Sequence, residues 1–179
     1  MHFFNNLFKK NATRKGVKMG IGLAVMRLQP LHRGHLKVIN TMLTNHPKAI
    51  IVIGSIENFD DKNPFTFKDR LKMLELVYPQ EIKNNKLIIV GAKDIHNPPK
   101  WASYIKTLLP IEATCYYSGT GQDAYLFEKE GFKTIQINRD ELNISGTMVR
   151  NKIKKNENWQ KDVPTEIHEL IKSKQGAIK

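Results

Sequence analysis

Two runs in this chain are apolar for the length of a strand and do not alternate: Ala-Ile-Ile-Val-Ile-Gly-Ser over 49–55 and Lys-Leu-Ile-Ile-Val-Gly-Ala over 86–92. A strand with one wet face alternates with period two, so a run without alternation is buried on both faces. That condition is met in a parallel sheet covered by helices and built from right-handed crossover units. The segments between the runs agree. Leu36, Ile39, Met42 and Leu43 fall at helical spacing within 34–45. Thr66 caps a helix that runs to Tyr78, with Asp69 in its first turn. Further strands are expected over 20–27, 113–118 and 133–137, and further helices over 99–109, 123–130, 145–155 and 164–172. The alternation makes the expected class α/β, a parallel sheet with helices on both faces.

Composition sets the outer limits. A chain of 179 residues that is 40% hydrophobic can bury one core, which fits a single domain. No apolar run approaches the roughly 18 residues that a membrane-spanning helix needs. The single cysteine, Cys115, lies in an apolar run and is expected to be a buried small hydrophobe. One cysteine forms neither an internal disulfide nor a zinc cluster, and a reducing, cytoplasmic setting fits. Of the formal charge of +12, residues 1–18 contribute +5 and residues 150–179 contribute +4, leaving +3 between them. Residues 1–18 are read as a basic flexible tail and 19–179 as the folded domain. Charge gathered at the two ends fits solvated surfaces, or attraction of polyanions such as nucleotides.

Ligands of parallel sheets bind beyond the carboxyl ends of the strands, so the residues there are the candidates for chemistry. The first strand runs into Arg27-Leu28-Gln29-Pro30-Leu31-His32-Arg33-Gly34-His35, and a helix follows. A helix N-terminus presents unpaired N–H groups and a positive dipole end to an anion. Gly34 lets a phosphate approach the backbone. His32 and His35, three apart, share a face, and each can donate an N–H to phosphate. The same pair would serve as helix caps, or as two ligands of a metal whose third ligand has no place in the spacing. A second motif, Ile144-Ser145-Gly146-Thr147-Met148-Val149-Arg150, opens a late helix. Ser145 or Thr147 can cap it, and Arg150, a little over one turn on, can fork onto phosphate oxygens. Alone, this motif equally describes a capped helix with a surface arginine.

Together the two motifs resemble the paired signatures of the HxGH nucleotidyltransferase superfamily. Three intervening stretches are similar to the archaeal-type nicotinamide-nucleotide adenylyltransferases: Gly54-Ser55 with Asn63-Pro64-Phe65-Thr66, then Asp94-Ile95-His96-Asn97-Pro98-Pro99-Lys100-Trp101, then Tyr117-Ser118-Gly119. The resemblance covers about residues 20–171, with Met26 where the family usually has glycine and Lys62 where it commonly has arginine. It implies a Rossmann-like nucleotidyltransferase fold. It also implies transfer of AMP from ATP to nicotinamide mononucleotide, giving NAD and pyrophosphate. His32, His35 and Arg150 would be catalytic. Arg27, Gly34, Ser145, Gly146 and Thr147 would bind ATP, and Lys62, Asn63, Asn97 and Trp101 the mononucleotide. Magnesium would arrive with ATP, no dedicated metal site is expected, and a homo-oligomer is implied.

Trp101 also fits a core stripe with Ile105 and Leu108. Its place at a helix start beside a strand end favours the pocket, where an indole can stack on a pyridinium ring. Two other functions compete. One is an adenylyl- or cytidylyltransferase of the same superfamily acting on pantetheine phosphate, glycerol phosphate or a flavin, against which the 94–101 stretch speaks. The other is a non-catalytic nucleotide or nucleic-acid binder. The location of the charge at the ends speaks against it.

Overall fold

The computed structural model describes residues 20–119, 121–137 and 144–178. The expected tail over 1–18 lies outside them. The described residues form one five-stranded parallel sheet from β1 (Gly22–Met26), β2 (Ala49–Ile53), β3 (Leu87–Gly91), β4 (Cys115–Ser118) and β5 (Lys133–Gln136), in the order β3-β2-β1-β4-β5. Each expected strand is present, shortened by one to three residues where its ends turn into loops.

The helices are α1 (Arg33–Asn45), α2 (Phe67–Val77), α3 (Pro79–Lys83), α4 (Trp101–Leu108), α5 (Ala124–Lys129), α6 (Gly146–Lys154) and α7 (His168–Ser173). Thr66 caps α2 as expected. Its hydroxyl accepts from the Asp69 N–H at 3.2 Å, and the Asp69 carboxylate accepts from the Thr66 N–H at 3.0 Å. Two segments depart from the sequence reading. The prolines before Trp101 form a 3₁₀ turn, Pro98–Lys100, that precedes α4, and the last helix is divided into a 3₁₀ turn, Thr165–Ile167, followed by α7. Helix α3 was not anticipated. It starts on Pro79, whose missing N–H costs nothing in a first turn.

The side chains of successive strand residues point to opposite faces and fill two separate cores. Ala24 and Met26 of β1 and Ile51 and Ile53 of β2 pack with Val38, Ile39 and Met42 of α1, Met73 and Leu74 of α2, and Val149 and Ile153 of α6. Leu23, Ile50, Val52 and Tyr116 face the other way, against Ala102 and Ile105 of α4 and Leu126 and Phe127 of α5. Helices therefore cover both faces. The chain winds outward from β1 to β3 through the first layer, then crosses to β4 and winds through the second. β1 and β4 are the neighbours at which the strand order reverses. A crevice must open beyond their carboxyl ends, because the connections there diverge.

Candidate functional site

The backbone is left-handed just past three strands, at Leu28 (φ 55°) after β1, Ser55 (φ 53°) after β2 and His96 (φ 49°) after β3. Such conformations are costly for residues with a side chain and persist where the surroundings impose them. Arg70 of α2 is one of the groups that imposes them. It is fully buried, and its guanidinium donates to the carbonyls of Arg27 at 2.9 Å, Gly54 at 2.7 Å and Ser55 at 3.0 Å. One side chain thus ties the ends of β1 and β2 together. Burial pulls its pKa down from the usual value, Glu57 opposes this, and the Arg27 cation adds to it.

Gln29 is a second tie. Its amide pairs with the Phe65 backbone in both directions, at 2.9 and 3.0 Å. Its carbonyl accepts from Arg150 Nη1 at 2.6 Å. The Gln29–Pro30 peptide is cis.

The two histidines form a reciprocal cap on α1. His32 Nδ1 accepts the Gly34 N–H at 3.2 Å, and His35 Nδ1 accepts the His32 N–H at 3.3 Å. The rings lie 3.7 Å apart, centroid to centroid. Because both Nδ1 atoms are acceptors, the proton of each neutral ring sits on Nε2. The Gly34 N–H is therefore engaged by His32.

At the second motif Ser145 caps α6, its hydroxyl accepting the Met148 N–H at 3.2 Å. Arg150 Nη2 donates to Thr147 Oγ1 at 3.1 Å. Burial, and then the nearby Arg27 cation, lower the Arg150 pKa from its usual value, while Asp60 acts against them. Gly146 lies against the Gln29 carbonyl, where an added Cβ would come within 2.7 Å of the oxygen. The first and second motifs, far apart in the chain, meet on Gln29.

Two clefts open at the reversal point. The smaller, of about 180 Å³, is lined by His35, Arg27, Tyr117, Ser118 and Gly119, among others. The larger, of about 440 Å³, is lined by Asn97, Trp101, His96, Asp94, Tyr125 and Gln122, among others. Arg27 and Asp123 line both. Trp101 satisfies both of its sequence readings. It is half-buried against the second core, and it lines the cleft. Ile105 below it is fully buried.

The structure thus brings His35, Arg27, Asn97 and Trp101 to adjoining clefts, and Arg150 and Thr147 to the neighbouring Gln29 turn. Lys62 and Asn63 line neither cleft. They occupy a turn in which Lys62 N–H and Asn63 Nδ2 donate to Asp60 Oδ1 at 2.7 and 3.0 Å. Asn63 is buried, and its Oδ1 finds no donor among the described residues.

Sequence reasoning missed Arg70 and Asp123 and gave Gln29 no role. An arginine on an amphipathic helix looks like any surface arginine. What could have exposed Arg70 is its phase, four residues after Thr66 and three before Met73 on the buried side of α2. Asp123 is held by the Tyr116 and Ser118 hydroxyls, the latter at 2.9 Å.

The cytidylyltransferase-like family matches residues 27–152. A nicotinamide-nucleotide adenylyltransferase of Thermococcus sibiricus is 32% identical over 160 residues, covering 87% of this chain and 84% of that one. Its counterpart in Archaeoglobus fulgidus is 33% identical over 161 residues, covering 85% and 90%. Among solved structures, a bifunctional NMN adenylyltransferase/ADP ribose pyrophosphatase from Francisella tularensis, complexed with AMP and a manganese ion, superposes with a TM-score of 0.70 at 22% identity over 89% of this chain. The chain spans about half of that structure, 52% of its length. The NadR protein in complex with NAD and AMP-PNP gives a TM-score of 0.62 at 17% identity, over 83% of this chain and 46% of that one.

Proposed function

The chain belongs to the nicotinamide-nucleotide adenylyltransferases, within the cytidylyltransferase-like family, and from this we infer that its paired clefts join ATP to nicotinamide mononucleotide, giving NAD and pyrophosphate. The observation that carries the reading is the seam between the clefts. Arg27 lines both, with His35 in one and Asn97 and Trp101 in the other. A triphosphate and a pyridine mononucleotide placed in the two would bring their phosphates together at Arg27.

In the reaction, a 5′-phosphate oxygen of the mononucleotide attacks the α-phosphorus of ATP in line. The new O–P bond forms as the bond from that phosphorus to the pyrophosphate oxygen breaks. A phosphomonoester is already largely dianionic near neutral pH, its second pKa being about 6. No general base is needed, and the protein's contribution is placement and charge stabilisation. The His35 ring N–H meets the transferring phosphoryl oxygens, while His32 and Arg27 hold ATP phosphates. Ser145, Gly146, Thr147 and Arg150 receive the departing pyrophosphate. Among the described residues Arg150 spends two donors on Gln29 and Thr147, and a guanidinium has five, which leaves three for phosphate. Gly34 keeps the approach to α1 free of a side chain.

Trp101 stacks on the pyridinium ring and Asn97 contacts its substituent. Lys62 and Asn63 stand outside both clefts, so in this reading their contact with the mononucleotide requires the turn over 60–63 to move inward while the tied residues on either side stay in place.

Magnesium enters as part of the ATP substrate. Among the described residues no group of three or more His, Cys, Asp or Glu is placed to hold a metal ion. Its ligands would then be mainly triphosphate oxygens and water. No helix among the described residues is long and apolar enough to cross a membrane, and we place the activity in the cytoplasm, in a homo-oligomer.

The test is to incubate the protein with ATP, magnesium and a panel of phosphorylated acceptors and to identify the product. NAD from nicotinamide mononucleotide is expected. A product from pantetheine phosphate or glycerol phosphate, with no NAD, would refute the assignment.

A further inference from the structure

The larger cleft is acidic. Asp94, from the loop after β3, and Asp123, from the loop after β4, both line it, and among the described residues Arg27 is the only lysine or arginine that does. Both carboxylates are fixed in place. Asp94 Oδ2 accepts from Asn58 Nδ2 at 3.1 Å, and its N–H donates to the Glu57 carboxylate at 2.8 Å. Asp94 Oδ1 accepts from no donor among the described residues. Asp123 accepts from Tyr116 on one oxygen and from Ser118 on the other at 2.9 Å. The Ser118 hydroxyl is itself held by the Gly121 N–H at 2.8 Å. Side chains locked in this way cannot swing out to accommodate a like charge.

The two natural forms of a pyridine mononucleotide differ at one group. One carries a carboxamide on a cationic ring, and the other a carboxylate on the same ring. We propose that Asp94 and Asp123 make this cleft selective for the carboxamide form and exclude the carboxylate form. The proposal rests on the mononucleotide reading above.

A carboxamide brings two N–H donors to acceptor-only carboxylates, and the ring cation is attracted to them. A ring carboxylate donates nothing, offers no partner to Asp94 Oδ1 and meets two like charges. Arg27 does not offset this, because it also lines the smaller cleft, where the phosphates claim it. Nothing else in the lining forms a fixed cation.

The experiment measures kcat/KM for both mononucleotides side by side, in the parent and in Asp94→Asn, Asp123→Asn and the double variant. The parent should favour the carboxamide form on the order of 10- to 100-fold, the range expected when like charges meet in a half-open cleft. Each substitution should narrow that ratio, mainly by raising kcat/KM for the carboxylate form, and the double variant should narrow it most. A merely structural role would lower both substrates together and leave the ratio unmoved, which overturns the proposal. So does a parent that uses both forms equally. If neither mononucleotide gives a dinucleotide, it is the activity itself that has been misassigned, and the selectivity falls with it.

Discussion

His35 has two jobs that a single substitution separates. Its Nδ1 closes the cap on α1, and its Nε2–H is the donor assigned to the transferring phosphoryl group. Loss of the cap should cost about 1 kcal/mol of stability. Loss of a donor that acts in the transition state should cost about 100- to 1000-fold in rate. His35→Ala is therefore expected to melt slightly lower, bind ATP nearly as well by calorimetry, and lose kcat by that factor. His35→Asn, which keeps an N–H donor on a shorter side chain, should fall between. Turnover within a few-fold of the parent would leave His35 as a cap alone. Trp101 poses the complementary question, because it belongs to both core and cleft. Trp101→Ala should raise KM for the mononucleotide far more than KM for ATP. Destabilisation with both constants intact in the folded fraction would assign it to the core.

At the scale of elements, what matters is how α6 is placed against the turn after β1. The contact runs through backbone, with the Gln29 carbonyl against Gly146 and the Arg150 guanidinium on the same oxygen. A methyl group at residue 146 would sit 2.7 Å from that oxygen, closer than atoms tolerate, so α6 has to shift. Overpacking of this kind typically costs about 1–3 kcal/mol. Gly146→Ala should therefore lower the melting temperature and also lower kcat, since Thr147 and Arg150 ride on the same helix. An unchanged melting temperature with normal turnover would show that α6 is not pinned by Gln29. The Arg70 tie works at this scale too. It joins two strand ends through carbonyls alone, so its contribution is to hold the crevice edge in one shape rather than to neutralise a charge.

For the molecule as a whole, the two cores and the five strands lie within residues 22–178. Residues 1–18 carry no acid and no helical or strand period. A protein starting at Met19 is expected to fold and to retain kcat and both KM values, checked by circular dichroism and steady-state kinetics. Loss of turnover or of the folded signal would assign the tail a place in the core or the site. The +5 charge removed with it should weaken only nonspecific attraction to polyanions, and that effect should vanish as salt is raised.

The sheet, its parallel sense and its two helical layers were legible because burial on both faces leaves a local mark. The run 49–55 is β2, buried throughout, and the run 86–92 is the edge strand β3, buried at Leu87 and half-buried beyond it, and neither alternates. The caps were legible too, since Thr66 with Asp69 and Ser145 before α6 act within one turn of chain. The histidine pair, Asn97 and Trp101 could be singled out by residue type and by position at strand ends. Their convergence could not be derived from spacing, because it depends on which strands become neighbours. β1 and β4 are separated by some ninety residues, and only the 3-2-1-4-5 order sets Ser118 and Asp123 beside Arg27. Arg70 and Gln29 were invisible for a related reason. Their partners are backbone carbonyls and amides, which every residue carries, so no sequence pattern marks the sites that will receive them. Short-range periodicity records what a residue buries, and long-range closure decides what it touches.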